Sequence, residues 1–441
     1  MTDLLERLAA SPFEAYAYSY PHKTAYRALA EAVPLAGAWQ AEDRSRLFAY
    51  FHIPFCTYRC GFCNLFAIGQ PGDDLVDRYL DQMQRQMTIV AGQLGDHRIA
   101  QVVLGGGTPS YLTAAQLATL FEVIGRRFTV DLGKAPVGME VSPETATHDR
   151  LSVCRSAGVD RISMGVQSFS ESELSALVRP ASVRAVLDAV DVIRRLDFPT
   201  LNLDLIYGIP GQTPASFVQS LRQLLALQPE EIYLYPLYVR PQTGMDRLAR
   251  QPADAARRQL YEVGRDHLLA SGYHQVSMRL FRTTPLTAAP ATAYRCQDDG
   301  MVGIGCGARS YTRALHYSDD YAVARSGIHA ILRRYVELAP EAFAQARHGF
   351  VLNDEEQRRR YLIQSLLTWP GLGIADYATR FGETPQHDFP EIDALQAAGL
   401  ARADAAHIAL TPEGMAYADA IGPWLNSAPV QQRMAEYAHA V

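Results

Sequence analysis

Three cysteines fall within eight residues in the run Tyr50-Phe51-His52-Ile53-Pro54-Phe55-Cys56-Thr57-Tyr58-Arg59-Cys60-Gly61-Phe62-Cys63. Their thiolates are soft ligands, suited to zinc, copper(I) or iron–sulfur centres rather than to hard cations. A structural zinc site takes four nitrogen or sulfur ligands. No fourth cysteine lies nearby, and His52 sits within an expected strand. A simple electron-transfer cluster uses four thiolates. Three thiolates leave one iron of a 4Fe–4S cluster without a protein ligand, and that open iron can bind a small molecule. The chemistry favours the last reading. Cys154, Cys296 and Cys306 stand apart. They read as buried thiols, with a hydrogen-donor role for Cys296 or Cys306 as the alternative.

Further chemistry-bearing residues recur downstream. Gly105-Gly106-Gly107-Thr108-Pro109 follows an apolar run, and glycines there permit positive φ and close backbone approach. Glu140, Gly165-Val166-Gln167, Arg179, Asp204 and Tyr207-Gly208-Ile209-Pro210-Gly211 follow the next runs. The elements that must position them alternate. Leu47–Ile53, Ile99–Leu104, Gly138–Val141, Arg161–Val166, Thr200–Ile206 and Glu231–Leu237 read as strands. Leu75–Leu94, Ala114–Arg127, Ser170–Leu177, Ser182–Leu196 and Pro214–Leu227 read as helices. This alternation predicts an α/β fold with a parallel sheet. Six units suit a partial (β/α)6 TIM-like barrel, in which the loops after the strands carry the chemistry.

Four regions are expected. Residues 1–45 form an aromatic N-terminal arm, interrupted by Pro12, Pro21 and Pro34, with Tyr16, Tyr18, Tyr20 and Tyr26 packing on the next domain or closing a cavity. Residues 46–250 form the barrel. Residues 251–325 extend it through the glycine-rich Gly303–Tyr311 stretch. Residues 326–441 form a helical, winged-helix-like C-terminal domain, with Trp369 and Trp424 as core anchors. After the sixth strand, Tyr233 and Tyr235 read as core, while Tyr238 and Arg240 are candidates to face substrate.

The 441 residues carry 41 Lys and Arg against 47 Asp and Glu, a net charge of −6. This excludes a globally basic nucleic-acid surface. Six cysteines are too sparse for a disulfide scaffold. No apolar run reaches the roughly 18 residues of a membrane span, and the start lacks a secretion profile. A cytoplasmic protein is expected.

These motifs resemble the radical S-adenosylmethionine enzymes. More narrowly, they are similar to the oxygen-independent coproporphyrinogen III oxidase-like (HemN-like) subgroup, most specifically over residues 50–245 through Tyr-x-His-Ile-Pro-Phe-Cys, Gly-Gly-Gly-Thr-Pro, Gly-Val-Gln-Ser-Phe and Asp-Leu-Ile-Tyr-Gly-Ile-Pro-Gly-Gln-Thr. The resemblance implies that Cys56, Cys60 and Cys63 hold a 4Fe–4S cluster whose fourth iron is chelated by S-adenosylmethionine. One electron then releases a 5′-deoxyadenosyl radical, which abstracts hydrogen. Tyr50, Phe62, Gly106, Gly107, Thr108 and Glu140 would line this cofactor. Gln167, Arg179 and Asp204 would lie near the nucleosides of two S-adenosylmethionines, and the Gly303–Tyr311 loop would approach the second. A flavodoxin or ferredoxin would supply the electron.

Two departures bear on the substrate. Leu65 stands where the porphyrinogen-oxidising members have a further cysteine. Ala291-Thr292-Ala293-Tyr294-Arg295-Cys296 replaces the His-Asn-x-x-Tyr-Trp motif of the haem-chaperone members. The expectation is therefore the two-cofactor branch: C-methylation of an sp2 carbon of a small conjugated metabolite, or cyclopropanation with a helper methyltransferase. The alternatives are an anaerobic tetrapyrrole enzyme and a haem carrier.

Overall fold

The computed structural model describes residues 2–246, 248, 252–287 and 294–440. Leu47–Ile53, Ile99–Gly106, Val137–Val141, Arg161–Gln167, Thr200–Tyr207 and Glu231–Pro236 lie side by side, parallel and in chain order. The helices Asp73–Leu94, Ala114–Arg127, His148–Ser156, Val183–Arg195 and Pro214–Ala226 make the returns between successive strands. Several begin at side-chain caps that occupy orphan backbone donors. Thr113 and Gln116 form a reciprocal capping box, as do Thr213 and Ser216, and Ser182 caps through Ala185 N–H. The six strands and four of the expected helices fall within two residues of these bounds; the expected Ser170–Leu177 helix is the short Glu171–Ala176, and His148–Ser156 was not expected.

The sheet stays open. Met301–Ile304 pairs parallel with Leu47–Ile53, and Arg309–Tyr311, Leu315–Ser318, Gln345–Val351 and Arg27–Pro34 continue antiparallel beyond it. Leu280–Arg282 and His274–Gln275 close the other edge, giving 13 strands. The arm is thus less irregular than expected, because Arg27–Pro34 finds its partner far downstream. The C-terminal region leaves the large sheet only after Val351, inside the expected 326–441 domain, and the expected boundary at 250/251 lies outside the described residues. Beyond it, the helix Asp354–Leu366 leads to a small sheet of Leu372–Gly373, His407–Leu410 and Ala401–Ala403 beside Ile374–Phe381 and Glu391–Ala397. Trp369 is 36% exposed, so it does not anchor a core. Among the described residues, no helix is long and apolar enough to cross a membrane.

The parallel strands have two unlike faces. Ala49, Phe51, Val102, Leu104, Met139, Ile162, Met164, Leu203, Leu205, Ile232 and Leu234 are buried and belong to one continuous core. The alternate positions Tyr50, Val103, Glu140, Ser163, Gly165, Tyr233 and Tyr235 remain accessible. Closed (β/α)8 barrels fill that interior with branched side chains. Here the concave face is an open polar cleft: Arg161 pairs with Glu231 at 2.7 Å, and Asn202 donates to Ser163 and Asp204 at 2.7 Å each.

Candidate functional site

The cysteine loop leaves the first parallel strand at the mouth of this cleft. Residues on three sides hold it. Phe55–Cys56 pairs with Ile68–Gly69. Gly61 N–H donates to Leu177 O at 3.2 Å, and Met245 N–H donates to Gly61 O at 2.8 Å. A Cβ on Gly61 would lie 2.7 Å from the Val178 Cβ, so only glycine fits this clamp. Cys56, Cys60 and Cys63 are all half-buried. Thr108 Oγ1 donates to Cys56 Sγ at 3.5 Å, and Arg179 donates to Cys60 Sγ at 3.0 Å. Burial pushes the Cys56 thiol up to about 12 and raises Cys60 as well. A cationic centre offsets such a cost by binding the thiolate.

The donor set fits an iron–sulfur cluster. It offers three thiolates on one loop with charge-assisted donors to two of the sulfurs. Among the described residues, no three Cys, His, Asp or Glu side chains converge on a single ion. A multi-iron cluster asks for no such convergence, because each thiolate meets its own iron.

The glycine turn is built against the same loop. Gly107 N–H donates to Ile53 O and Thr108 N–H to Phe55 O, both at 2.8 Å. A Cβ on Gly107 would lie 2.8 Å from Phe55 O and 3.0 Å from Cys56 Sγ. Gly106 has φ +112° and packs on the His52 ring, where a Cβ would come within 2.5 Å. His52 is a brace: its Nε2 meets Phe66 O at 2.9 Å and its Nδ1 meets Tyr50 Oη at 3.1 Å.

Glu140 accepts from Gly106 N–H at 3.0 Å. Its carboxyl is accessible, yet desolvation raises its pKa. Both properties together place it on the wall of an enclosed cleft. Tyr50 lies beside it, since a Cβ on Gly105 would be 3.1 Å from both side chains. Arg179 also donates to Gly165 O at 2.6 Å, and its buried Nε finds no partner. Gln167 ends its strand at φ +74°. Asp204 sits opposite Gly165 in register, and burial lifts its carboxyl to about 7. Phe62 packs against the apolar group of Leu177, Ile206, Ile209, Leu237 and Met245. The structure thus brings Tyr50, Gly106, Gly107, Thr108, Glu140 and Arg179 around the cysteine loop, with Gln167 and Asp204 further along the cleft.

The opposite wall was only partly legible. Tyr16 is 36% exposed, yet burial raises its phenol pKa, so it too faces the enclosed cleft. The Arg279 guanidinium stacks 3.9 Å over its ring. Arg279 donates to Asp419, which also accepts from Tyr238 Oη; the pair is 2% and 1% exposed. Tyr238 is therefore committed to the C-terminal domain, while Tyr233 and Tyr235 stack at 5.6 Å on the accessible face. Sequence reasoning missed Arg279 and Asp419; the only sign was a lone carboxylate in the apolar run Ala418–Ile421. Cys154 and Cys306 are buried, but Cys296 is accessible, which corrects the expectation of a buried thiol. Ala291–Ala293, part of the departure from the haem-chaperone motif, lies outside the described residues.

Comparison with known proteins agrees with this geometry. Residues 50–224 match the Radical SAM superfamily, and residues 352–417 match the HemN C-terminal domain. The heme chaperone HemW of Escherichia coli (strain K12) is 33% identical over 271 residues, covering 59% of this chain and 68% of that protein. The chain belongs to the HemN-like subgroup of the radical SAM superfamily. The oxygen-independent coproporphyrinogen III oxidase of Pseudomonas aeruginosa is 27% identical, covering 83% of this chain and 82% of that protein. The solved coproporphyrinogen III oxidase (HemN) from Escherichia coli superposes with TM-score 0.79 at 24% identity, covering 93% and 97% of the two chains. The fold is therefore the HemN fold. The family works with a 4Fe–4S cluster and S-adenosylmethionine. Nothing in these relatives supports the expected methylation or cyclopropanation; they bear haem-chaperone and coproporphyrinogen-oxidase names.

Proposed function

We propose that this radical SAM enzyme acts on a tetrapyrrole, with the cluster held by Cys56, Cys60 and Cys63. The observation that carries the substrate class is the wall facing the cysteine loop. Tyr16, Tyr18, Tyr233 and Tyr235 with Arg309 line it, and the buried Arg279 guanidinium backs the Tyr16 ring. Tyrosine faces and guanidinium planes suit a broad conjugated ring with acidic side chains. The names of the relatives support the same class.

Bound in the cleft, the cluster and S-adenosylmethionine supply one-electron cleavage of the sulfonium and a carbon radical that abstracts hydrogen. The chain's residues do the rest. Arg179 and Thr108 stabilise negative charge on the thiolates. Glu140, oriented by Gly106 N–H, would accept a hydrogen bond from the cofactor's amino group. The Gly106–Gly107 backbone would let the methionine moiety approach, Tyr50 and Phe62 would flank the cofactor, and Asp204 and Gln167 would meet ribose hydroxyls of one or two cofactor molecules. The cleft walls exclude bulk water and hold the substrate in reach.

A second reading rests on Leu65, which is 48% exposed where the resemblance places a cysteine. It keeps alkyl transfer to an sp2 carbon as the outcome. One experiment decides. Anaerobically reconstituted protein receives an electron donor, S-adenosylmethionine with a deuterated methyl group, and coproporphyrinogen III or haem. Formation of 5′-deoxyadenosine with a tetrapyrrole product of altered mass supports the proposal. Loss of carbon dioxide indicates oxidative decarboxylation, and gain of label indicates alkylation. 5′-Deoxyadenosine with both tetrapyrroles unchanged contradicts the substrate class.

A further inference from the structure

Three cations in the cleft lack a carboxylate partner. Arg309 donates to Tyr18 Oη at 2.7 Å and lies 4.8 Å from that ring. Lys23 places its Nζ 3.6 Å over the ring of Tyr321, whose hydroxyl donates to Asn64 O beside Cys63 at 2.6 Å. Arg240 stacks 4.4 Å from Tyr238 and donates to Glu14 O at 2.9 Å. The ring of His22, 5.9 Å from Tyr18, feels all three, and with desolvation they hold its pKa well below the usual value. Among the described residues, none of the three cations makes an ion pair. Desolvation lowers the Lys23 ammonium to about 8. Buried charge of one sign is costly unless something compensates it. Two buried arginines elsewhere are compensated by a carboxylate: Arg279 has Asp419, and Arg257 has Asp254.

We propose that Lys23 and Arg309 form a carboxylate-binding subsite that anchors an acidic side chain of the ligand facing the cysteine loop. Two sources share this chemistry: the acid groups of the substrate and the methionine carboxylate of a cofactor molecule. The substrate assignment rests on the tetrapyrrole reading; the subsite itself does not. Lys23 comes from the N-terminal arm and Arg309 from the strand Arg309–Tyr311, so an anionic ligand would also tie the arm to the sheet.

The test uses reconstituted holoprotein and thermal melting. Citrate is the carboxylate probe, with sodium chloride at equal ionic strength as the reference. Tm of the wild type rises with citrate beyond the chloride response. Lys23→Met and Arg309→Met lose about half or more of that rise, while Lys134→Met on the outer surface keeps it. Arg309→Gln, which keeps a donor for Tyr18 but removes the charge, serves if Arg309→Met fails to fold. A citrate response no larger than that of chloride, or its full retention in Lys23→Met and Arg309→Gln, overturns the subsite. S-adenosylmethionine binding by equilibrium dialysis then separates the sources. Retained affinity in Lys23→Met assigns the subsite to substrate, and lost affinity assigns it to cofactor. Coproporphyrin III against its methyl ester reads the tetrapyrrole proposal separately. Citrate stabilisation without coproporphyrin binding keeps the subsite and removes the tetrapyrrole.

Discussion

The cysteine loop and the wall across the cleft from it are built by different means. The loop is local: three thiols within eight residues, clamped by glycines whose neighbours leave no room for a Cβ. The wall is assembled from the arm, the far edge of the sheet and the C-terminal domain, and a buried Arg279–Asp419 pair joins the last two. The loop carries chemistry that the whole family shares. On the proposed reading, the wall selects the substrate. Damage to the loop should therefore silence chemistry and spare the fold, and damage to the wall should do the reverse.

The largest effect is expected at the loop. Cys56→Ala, Cys60→Ala and Cys63→Ala each abolish cluster absorbance and 5′-deoxyadenosine formation, with Tm of the cluster-free protein nearly unchanged. Retained cluster in any one of them breaks the three-ligand account. At the wall, Asp419→Asn leaves Arg279 buried and short of its charge partner. It costs about 3–5 kcal/mol in denaturant unfolding, while cluster content per folded protein stays at the wild-type level. A loss below about 1 kcal/mol would mean that the pair does not join the regions.

Smaller and sharper is Gly107→Ala. The added methyl presses on Phe55 O and Cys56 Sγ. Cofactor-dependent turnover falls about tenfold, equivalent to about 1.4 kcal/mol. The smallest effect is a pH dependence. Burial lifts the folded-state pKa of Asp204 from the ordinary carboxylate range to about 7. Its contribution to stability is full below about 4 and is lost as pH rises through about 7. Asp204→Asn flattens that part of the stability profile of the ligand-free protein and gains on the wild type at pH 8. An unchanged difference between pH 5 and pH 8 would remove Asp204 from the buried cleft.

The same contrast explains what the sequence disclosed. The six strands, most of their helices and the loop motifs were legible because alternation, caps and glycine turns act over short distances; His148–Ser156 was not. The accessible concave face had a readable sign in Arg161-Ile-Ser-Met-Gly-Val-Gln and Glu231-Ile-Tyr-Leu-Tyr, where polar or aromatic residues alternate with apolar ones. That period marks strands with one open face, and Tyr233 and Tyr235 belong to it. The pairing of Arg27–Pro34 with Gln345–Val351 left no local trace, because neither strand predicts a partner so distant in the chain. Arg279–Asp419 was hidden for the same reason. Lys23 and Arg309 were visible as charges, but their isolation from any carboxylate is a property of the folded cleft alone.

The central claim is that three thiolates leave one iron open to the cofactor. Electron paramagnetic resonance of the reduced holoprotein, with and without 15N-labelled S-adenosylmethionine, tests it directly. The account predicts that the cofactor shifts the cluster signal and adds a nitrogen coupling from its amino group. A spectrum indifferent to S-adenosylmethionine, as a cluster with four protein ligands would give, contradicts it.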